Sequence, residues 1–228
     1  MIILRFIGGQ VERLKTAEIT QLGNYKLSKR LYIIITGNGT HEIPVLEELC
    51  NRYNGHDKFI WFPLTAKKRQ TGLSALNAVK HYPSVYRISS LIYLVDGEHI
   101  EGTAKVQIKN YLQNIGIEIV KIIEFNTTFL INCKVGNHKV SLYCVILGPE
   151  TFFEEEQVKL IELELGITID ISGNRDKNWK KRIKREIKRL LREKGMNIKE
   201  LIRNASKNNL ERAFSNLCEI LKDIEKDC

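Results

Sequence analysis

The run Leu91-Ile92-Tyr93-Leu94-Val95, closed abruptly by Asp96, Gly97, Glu98 and His99, sets the strictest limit on the fold. Five apolar residues with β-branched and aromatic members, bounded by polar ones, are the signature of a strand covered on both faces, as in a parallel sheet. The acids then stand at its carboxyl end, where open α/β sheets form their ligand crevices.

The segments around this run repeat the pattern. Leu31–Thr36 reads as a buried strand, followed by the loop Gly37-Asn38-Gly39-Thr40-His41-Glu42 and a helix over 43–53 with Pro44 in its first turn, where a missing N–H costs nothing. A strand over 58–64, a basic loop containing Lys67, Lys68 and Arg69, and a helix over 73–81 broken by Pro83 come next. After the central strand, a helix over 102–114 ends at Gly116, and 117–125 reads as another strand. This β-α-β-α-β-α-β order predicts a mainly parallel, Rossmann-like α/β sheet with helices on both faces.

Beyond it the pattern changes. Residues 128–134 and 139–146, joined by Val135-Gly136-Asn137-His138, predict an added antiparallel hairpin. A helix over 152–165 carries Glu154, Glu155 and Glu156 in its first turn, where the helix dipole favours negative charge. A short strand is expected over 167–171, then helices over 176–194, 198–204 and 207–226, the second opened by an Asn197/Glu200 capping box. The expected organisation is an α/β domain over 1–172 and a basic helical region over 173–228.

The net charge of +9 is concentrated: residues 175–194 hold 11 Lys and Arg against 3 acids, a local excess of +8. On a helix over 178–194, Trp179, Ile183, Ile187, Leu190 and Leu191 form an apolar stripe and leave the remaining face basic. That face, with Lys180, Lys181, Arg182, Lys184, Arg185, Lys188 and Arg189, suits a phosphate backbone, whose counterions it would release; an anionic membrane fits less well. No stretch approaches the ~20 apolar residues of a membrane span. The opening MIILRFIGG lacks a signal-peptide pattern, so a cytoplasmic location is expected. Cys50, Cys133, Cys144, Cys218 and Cys228 have no metal-ligand spacing and read as free thiols. Richness in Lys, Glu and Ile is the composition of a thermophile.

If the sheet is parallel, the loop after Thr36, the Lys67-Lys68-Arg69 loop, Asp96-Gly97-Glu98-His99 and Glu124 converge on one edge. Hard carboxylate oxygens there would suit Mg²⁺ or Mn²⁺, and Gly37, Asn38, Gly39, Thr40 and the basic loop would hold phosphates. His41 and His99 are secondary candidates as ligands or acids, and Glu124 reads as structural.

In residues 31–125, IIITGNGTHEIPVLEEL and YLVDGEHIEG resemble the two motifs of the Toprim fold of topoisomerases, bacterial-type primases and overcoming-lysogenization-defect nucleases. The resemblance implies Mg²⁺-dependent processing of nucleic-acid phosphodiesters, with a glutamate ending the first strand and an acidic pair ending the third. Asp96 and Glu98 supply the pair. The glutamate position carries Thr36, and Glu42 is the nearest substitute acid. Three readings follow: a metal-dependent nucleic-acid enzyme using Asp96, Glu98 and Glu42; a non-catalytic sensor of nucleotides or cyclic oligonucleotides, with Thr36 and Thr40 as ligand contacts; and a scaffold whose basic helix docks a protein or RNA.

Overall fold

A computed structural model describes residues 31–37, 43–53, 59–61, 71–86, 88–125, 128–148 and 152–226. Its centre is β3 (Ser90–Asp96), buried from Leu91 through Asp96. It lies in a six-stranded sheet with β1 (Leu31–Thr36), β2 (Phe59–Trp61), β4 (Glu118–Glu124), β5 (Phe129–Val135) and β6 (His138–Leu147), in the order β2-β1-β3-β6-β5-β4. The first four strands of that order are mutually parallel, and β5 runs antiparallel to both β6 and β4.

Alternation along the central strands sorts side chains between two helical layers. Tyr32, Ile34, Ile92, Leu94, Tyr143 and Val145 face one layer. It comprises α1 (Ile43–Tyr53), α4 (Phe153–Leu165), α5 (Lys177–Glu193), α6 (Ile198–Asn204), α7 (Lys207–Ala213) and α8 (Ser215–Lys226). Ile33, Ile35, Leu91, Tyr93, Val95 and Leu142 face the other, made by a tight helical turn over Gly72–Asn77, α2 (Ala78–Tyr86) and α3 (Ala104–Asn114). Coverage on both sides is why β3 reads as an unbroken apolar run.

The α/β class and its mainly parallel core are as the sequence predicts, and several details differ. The segment read as the next parallel strand, β4, is the outermost strand, paired antiparallel with β5. The hairpin is no appendage: β6 lies beside β3 over seven paired positions, and its unbroken apolar run Leu142–Leu147 is that of a doubly covered strand. Its register places Cys133 opposite Val140 and Cys144 opposite Phe129, and Cys50, Cys133, Cys144 and Cys218 are all buried free thiols. Pro83 sits inside α2 instead of ending it, at the cost of one helical hydrogen bond. Residues 167–171 are irregular, with Ile169 buried. The helix expected over 207–226 is two, meeting at Phe214.

The core does not divide at residue 172. Trp179, Ile183, Ile187 and Leu191 of α5 are buried in the same cluster as Tyr32 and Ile92 of the sheet. At roughly 1.5–3 kcal/mol per buried apolar side chain, an upper estimate, four such residues dock α5 firmly onto the body of the protein. Among the described residues, no helix is long and apolar enough to cross a membrane.

Candidate functional site

The sheet reverses its direction of growth between β1 and β3, since β2 follows β1 on one side and β3 pairs on the other. The carboxyl ends of strands flanking such a switch point form the natural ligand crevice of an open α/β sheet. Here β1 ends in Thr36, which pairs with Leu94, and β3 runs on two residues to Asp96.

The turn leaving β1 is closely tied. The Gly37 N–H donates to the Leu94 carbonyl at 2.7 Å, and the Gly72 N–H donates to the Gly37 carbonyl at 2.7 Å. A Cβ on Gly37 would stand 2.9 Å from the Gly72 oxygen, so only glycine allows this approach. The buried Tyr93 hydroxyl donates to the same Gly72 oxygen at 2.9 Å. His99 packs beside Gly72, and its Nε2 lies 3.9 Å from Glu98 Oε1.

Asp96 is paired through its backbone with Leu147 of β6, and its side chain is 1% exposed. A buried carboxylate needs a partner, and Lys180 of α5 is one. Lys180 Nζ donates to Asp96 Oδ2 at 3.0 Å and to Glu98 Oε1 at 2.8 Å, and lies 3.8 Å from Glu154 Oε2. One turn on, Lys184 Nζ is 2.9 Å from Glu154 Oε1. That contact is an ion pair by distance but off the hydrogen-bonding direction, and neither Glu154 oxygen has a hydrogen-bond donor among the described residues. Burial alone would lower the Lys180 pKa; the Asp96 charge, the Glu98 hydrogen bond and Glu154 reverse this and hold it above the usual lysine value.

Local structure fixes Lys180 in place. The Asp176 carboxylate caps α5 by accepting from the Asn178 and Trp179 N–H groups. The Trp179 indole N–H donates to the Ile171 carbonyl at 3.0 Å, and its ring stacks on Phe152 at 5.5 Å. The Lys180 ammonium lies 4.8 Å above the same Phe152 ring. Around this core, Arg175 Nε donates to Glu155 at 2.8 Å, and the Gly148 N–H donates to Glu156 Oε1 at 3.2 Å. Burial pushes the Glu156 carboxyl well above its usual pKa, the Gly148 hydrogen bond opposes this, and the nearby Asp96 adds to it.

The sequence-expected candidates thus fall into four groups. Gly37, Asp96, Glu98 and His99 do meet at the switch point. Lys180 and Lys184, expected on the solvent-facing basic surface, turn inward onto acids, while Arg182 donates to the Ser172 carbonyl and Arg189 bridges Glu186 and Glu193. Glu124 lies on the outermost strand in an ion pair with Lys105, away from the crevice. Asn38, Gly39, Thr40, His41, Glu42, Lys67, Lys68 and Arg69 lie outside the described residues.

No protein-family model, curated protein or solved structure matches this chain.

The sequence reading missed Glu154, Glu155, Glu156 and Arg175. Three acids in a helix's first turn look like exposed dipole partners, yet all three are buried here, Glu154 under Lys180 and Lys184 of α5, Glu155 against Arg175 and Glu156 against the Gly148 N–H. The available signal was complementarity: a basic helix of this density with a compact acidic triplet just upstream. The donor chemistry for Mg²⁺ or Mn²⁺ is present in Asp96 and Glu98, but the docked arrangement does not fit an ion, because the oxygens that would ligate it are those the Lys180 ammonium engages. Among the described residues, no group of three His, Cys, Asp or Glu is arranged to hold a metal.

Proposed function

We propose that this chain binds the phosphate backbone of nucleic acid through the outer face of α5, on a Toprim-like α/β scaffold. One observation carries the reading. Lys181, Arg185, Lys188 and Arg192 are exposed, follow one another at helical spacing opposite the buried Trp179-Ile183-Ile187 stripe, and have no ion-pair partner among the described residues. They span about 16 Å of helix axis, enough to follow several successive phosphates. A surface that had evolved only for solubility would mix both signs, as the Glu186-Arg189-Glu193 side of the same helix does.

The test is fluorescence anisotropy of labelled single- and double-stranded oligonucleotides across a salt series. Four phosphate contacts predict that log K falls with log salt at a slope of about −3.6 on duplex DNA. Absence of binding at low salt, or binding indifferent to salt, sinks the proposal. Phosphodiester processing with Mg²⁺ or Mn²⁺ at Asp96 and Glu98 is the finer form of this reading, and it requires Lys180 to leave those carboxylates. Oligonucleotide cleavage in Mn²⁺ that is lost in Asp96→Ala would support it.

A second reading, a nucleotide or cyclic-oligonucleotide sensor without metal chemistry, is favoured by a specific observation: Asp96 and Glu98 are already engaged by Lys180, and the neighbouring strand ends in Thr36. Nucleotides, and not Mn²⁺, should then raise the melting temperature.

A further inference from the structure

Asp96, Glu98 and Glu154 surround a single ammonium. The Asp96 and Glu154 side chains are each 1% exposed, and the three carboxylate contacts to Lys180 Nζ span 2.8–3.8 Å. Carboxylate oxygens from three positions converge on this ammonium as they would on a bound cation, and Glu154, shared with Lys184 at 2.9 Å, lacks any hydrogen-bond donor among the described residues. The centre lies at the carboxyl end of β3, beside the switch point, which is where an ion serving a ligand in this crevice would stand.

We infer that Lys180 is the resident cation of this crevice, its ammonium standing in for a divalent ion, so that docking of α5 and metal binding at Asp96 and Glu98 exclude each other. The ammonium fills the space between Asp96 Oδ2 and Glu98 Oε1, where a divalent ion bridging the same two oxygens would stand against it, and it lies over the Phe152 ring that stacks on the buried Trp179, so it is seated by the docked first turns of α5. The divalent site is therefore latent. It forms from two carboxylates and water only once the Lys180 ammonium leaves them, and the strength of the ion pair sets how much ion is needed. By linkage, anything that draws α5 off the crevice strengthens ion binding by the same factor that the ion weakens α5 docking. The inference rests on the reading of Asp96 and Glu98 as a cation site and is independent of whether α5 binds nucleic acid.

The test uses the full chain with Mn²⁺ alone as the probe, free ion being followed by electron paramagnetic resonance alongside thermal unfolding. Lys180→Met removes the ammonium and keeps the apolar stem. It should bind Mn²⁺ at least about tenfold more tightly than the unaltered chain, a coupling of ordinary size. It should melt below the unaltered chain without the ion and recover with it, and adding Asp96→Asn should abolish both gains. Should Lys180→Met fail to fold alone, Mn²⁺ is expected to restore its folding. Equal Mn²⁺ affinity in the two proteins, or a Lys180→Met chain that excess Mn²⁺ neither stabilises nor folds, overturns the inference. Oligonucleotide binding by Lys180→Met separates the two proposals, because the outward cations are untouched by the substitution.

Discussion

Lys180 and Asp96 are 84 positions apart in sequence and 3.0 Å apart in space. Among the described residues, the contact joins the most basic helix to the carboxyl end of a strand buried from Leu91 through Asp96. The two features most readily assigned separate roles, a nucleic-acid surface and a metal site, are therefore one assembly.

The pair should be asymmetric under substitution. Removing Lys180 takes the shared ammonium from between three acids, leaving Glu154 with Lys184 and the buried Asp96 beside Glu98 without this cation, whereas removing the Asp96 charge leaves Lys180 with two other carboxylates. Breaking a buried pair from the side that leaves uncompensated charge costs about 3–5 kcal/mol. Lys180→Met should approach that loss, Asp96→Asn should lose clearly less, and the double variant should be more stable than Lys180→Met alone. Urea denaturation of the four proteins gives the cycle, and additive effects would show that the contact does not couple the two residues.

Glu156 should make stability fall with rising pH. Its carboxyl is held protonated in the fold above the range where an unfolded Glu, at about 4.3, gives up its proton. The native state therefore binds more protons than the unfolded state between that value and the raised native one. Its contribution is complete below about pH 4 and is lost as pH rises through the native pKa. Gln keeps an acceptor for the Gly148 N–H and has no proton to lose. Melting temperatures of Glu156→Gln should match the unaltered protein in acid, exceed it at neutral pH, and vary less between the two. A pH profile unchanged by the substitution would mean that another group governs it.

The architecture was legible where a residue's fate depends on its own neighbours. Leu91–Val95 announced a doubly covered strand, Asn197 and Glu200 announced a capping box that forms as read, and α1 and α6 begin and end as their patterns dictate. What was not legible depends on which surfaces meet. Nothing in FFEEEQ says whether its acids face water; Lys180 and Lys184 of α5 and Arg175 just before it meet Glu154 and Glu155, and the Gly148 N–H meets Glu156. Likewise the apolar run of β4 reads as a strand, but only the pairing of β6 with β3 consigns it to the edge, where Val120 sits at a register shift and stays 58% exposed. Half of the candidate site, Asp96 with Glu98, was visible in sequence; its cation was visible as a residue and assigned to the wrong surface.

The outward face of α5 can be separated from its docking face. Arg185 and Lys188 are exposed and unpaired among the described residues, so replacing both with Gln should leave the melting temperature within about 1 °C, a surface change of a few tenths of a kcal/mol. If both contact phosphates, the salt slope of oligonucleotide binding should shrink by about 2. An unchanged slope would remove these residues from the interface.

Gly148 and Gly166 form a matched test of how tightly the crevice is built. Both have left-handed backbones, with φ of 75° and 64°, where a side chain is strained by about 1–2 kcal/mol. A Cβ on Gly166 meets nothing within 4 Å, whereas one on Gly148 would stand 2.3–2.7 Å from the backbone atoms of Phe152. Backbone cannot swing aside as a side chain can, so the Phe152 ring beneath Lys180 and against Trp179 would have to move with it. Gly166→Ala should therefore cost only the conformational strain, and Gly148→Ala should cost at least about 2 kcal/mol more, in the range of severe packing lesions. It should also shift the Trp179 fluorescence that Gly166→Ala leaves alone, with Trp61→Phe in the background so that one indole reports. Equal losses at the two glycines would mean that the segment carrying Phe152 yields freely, and that the cation cradle is not held from this side.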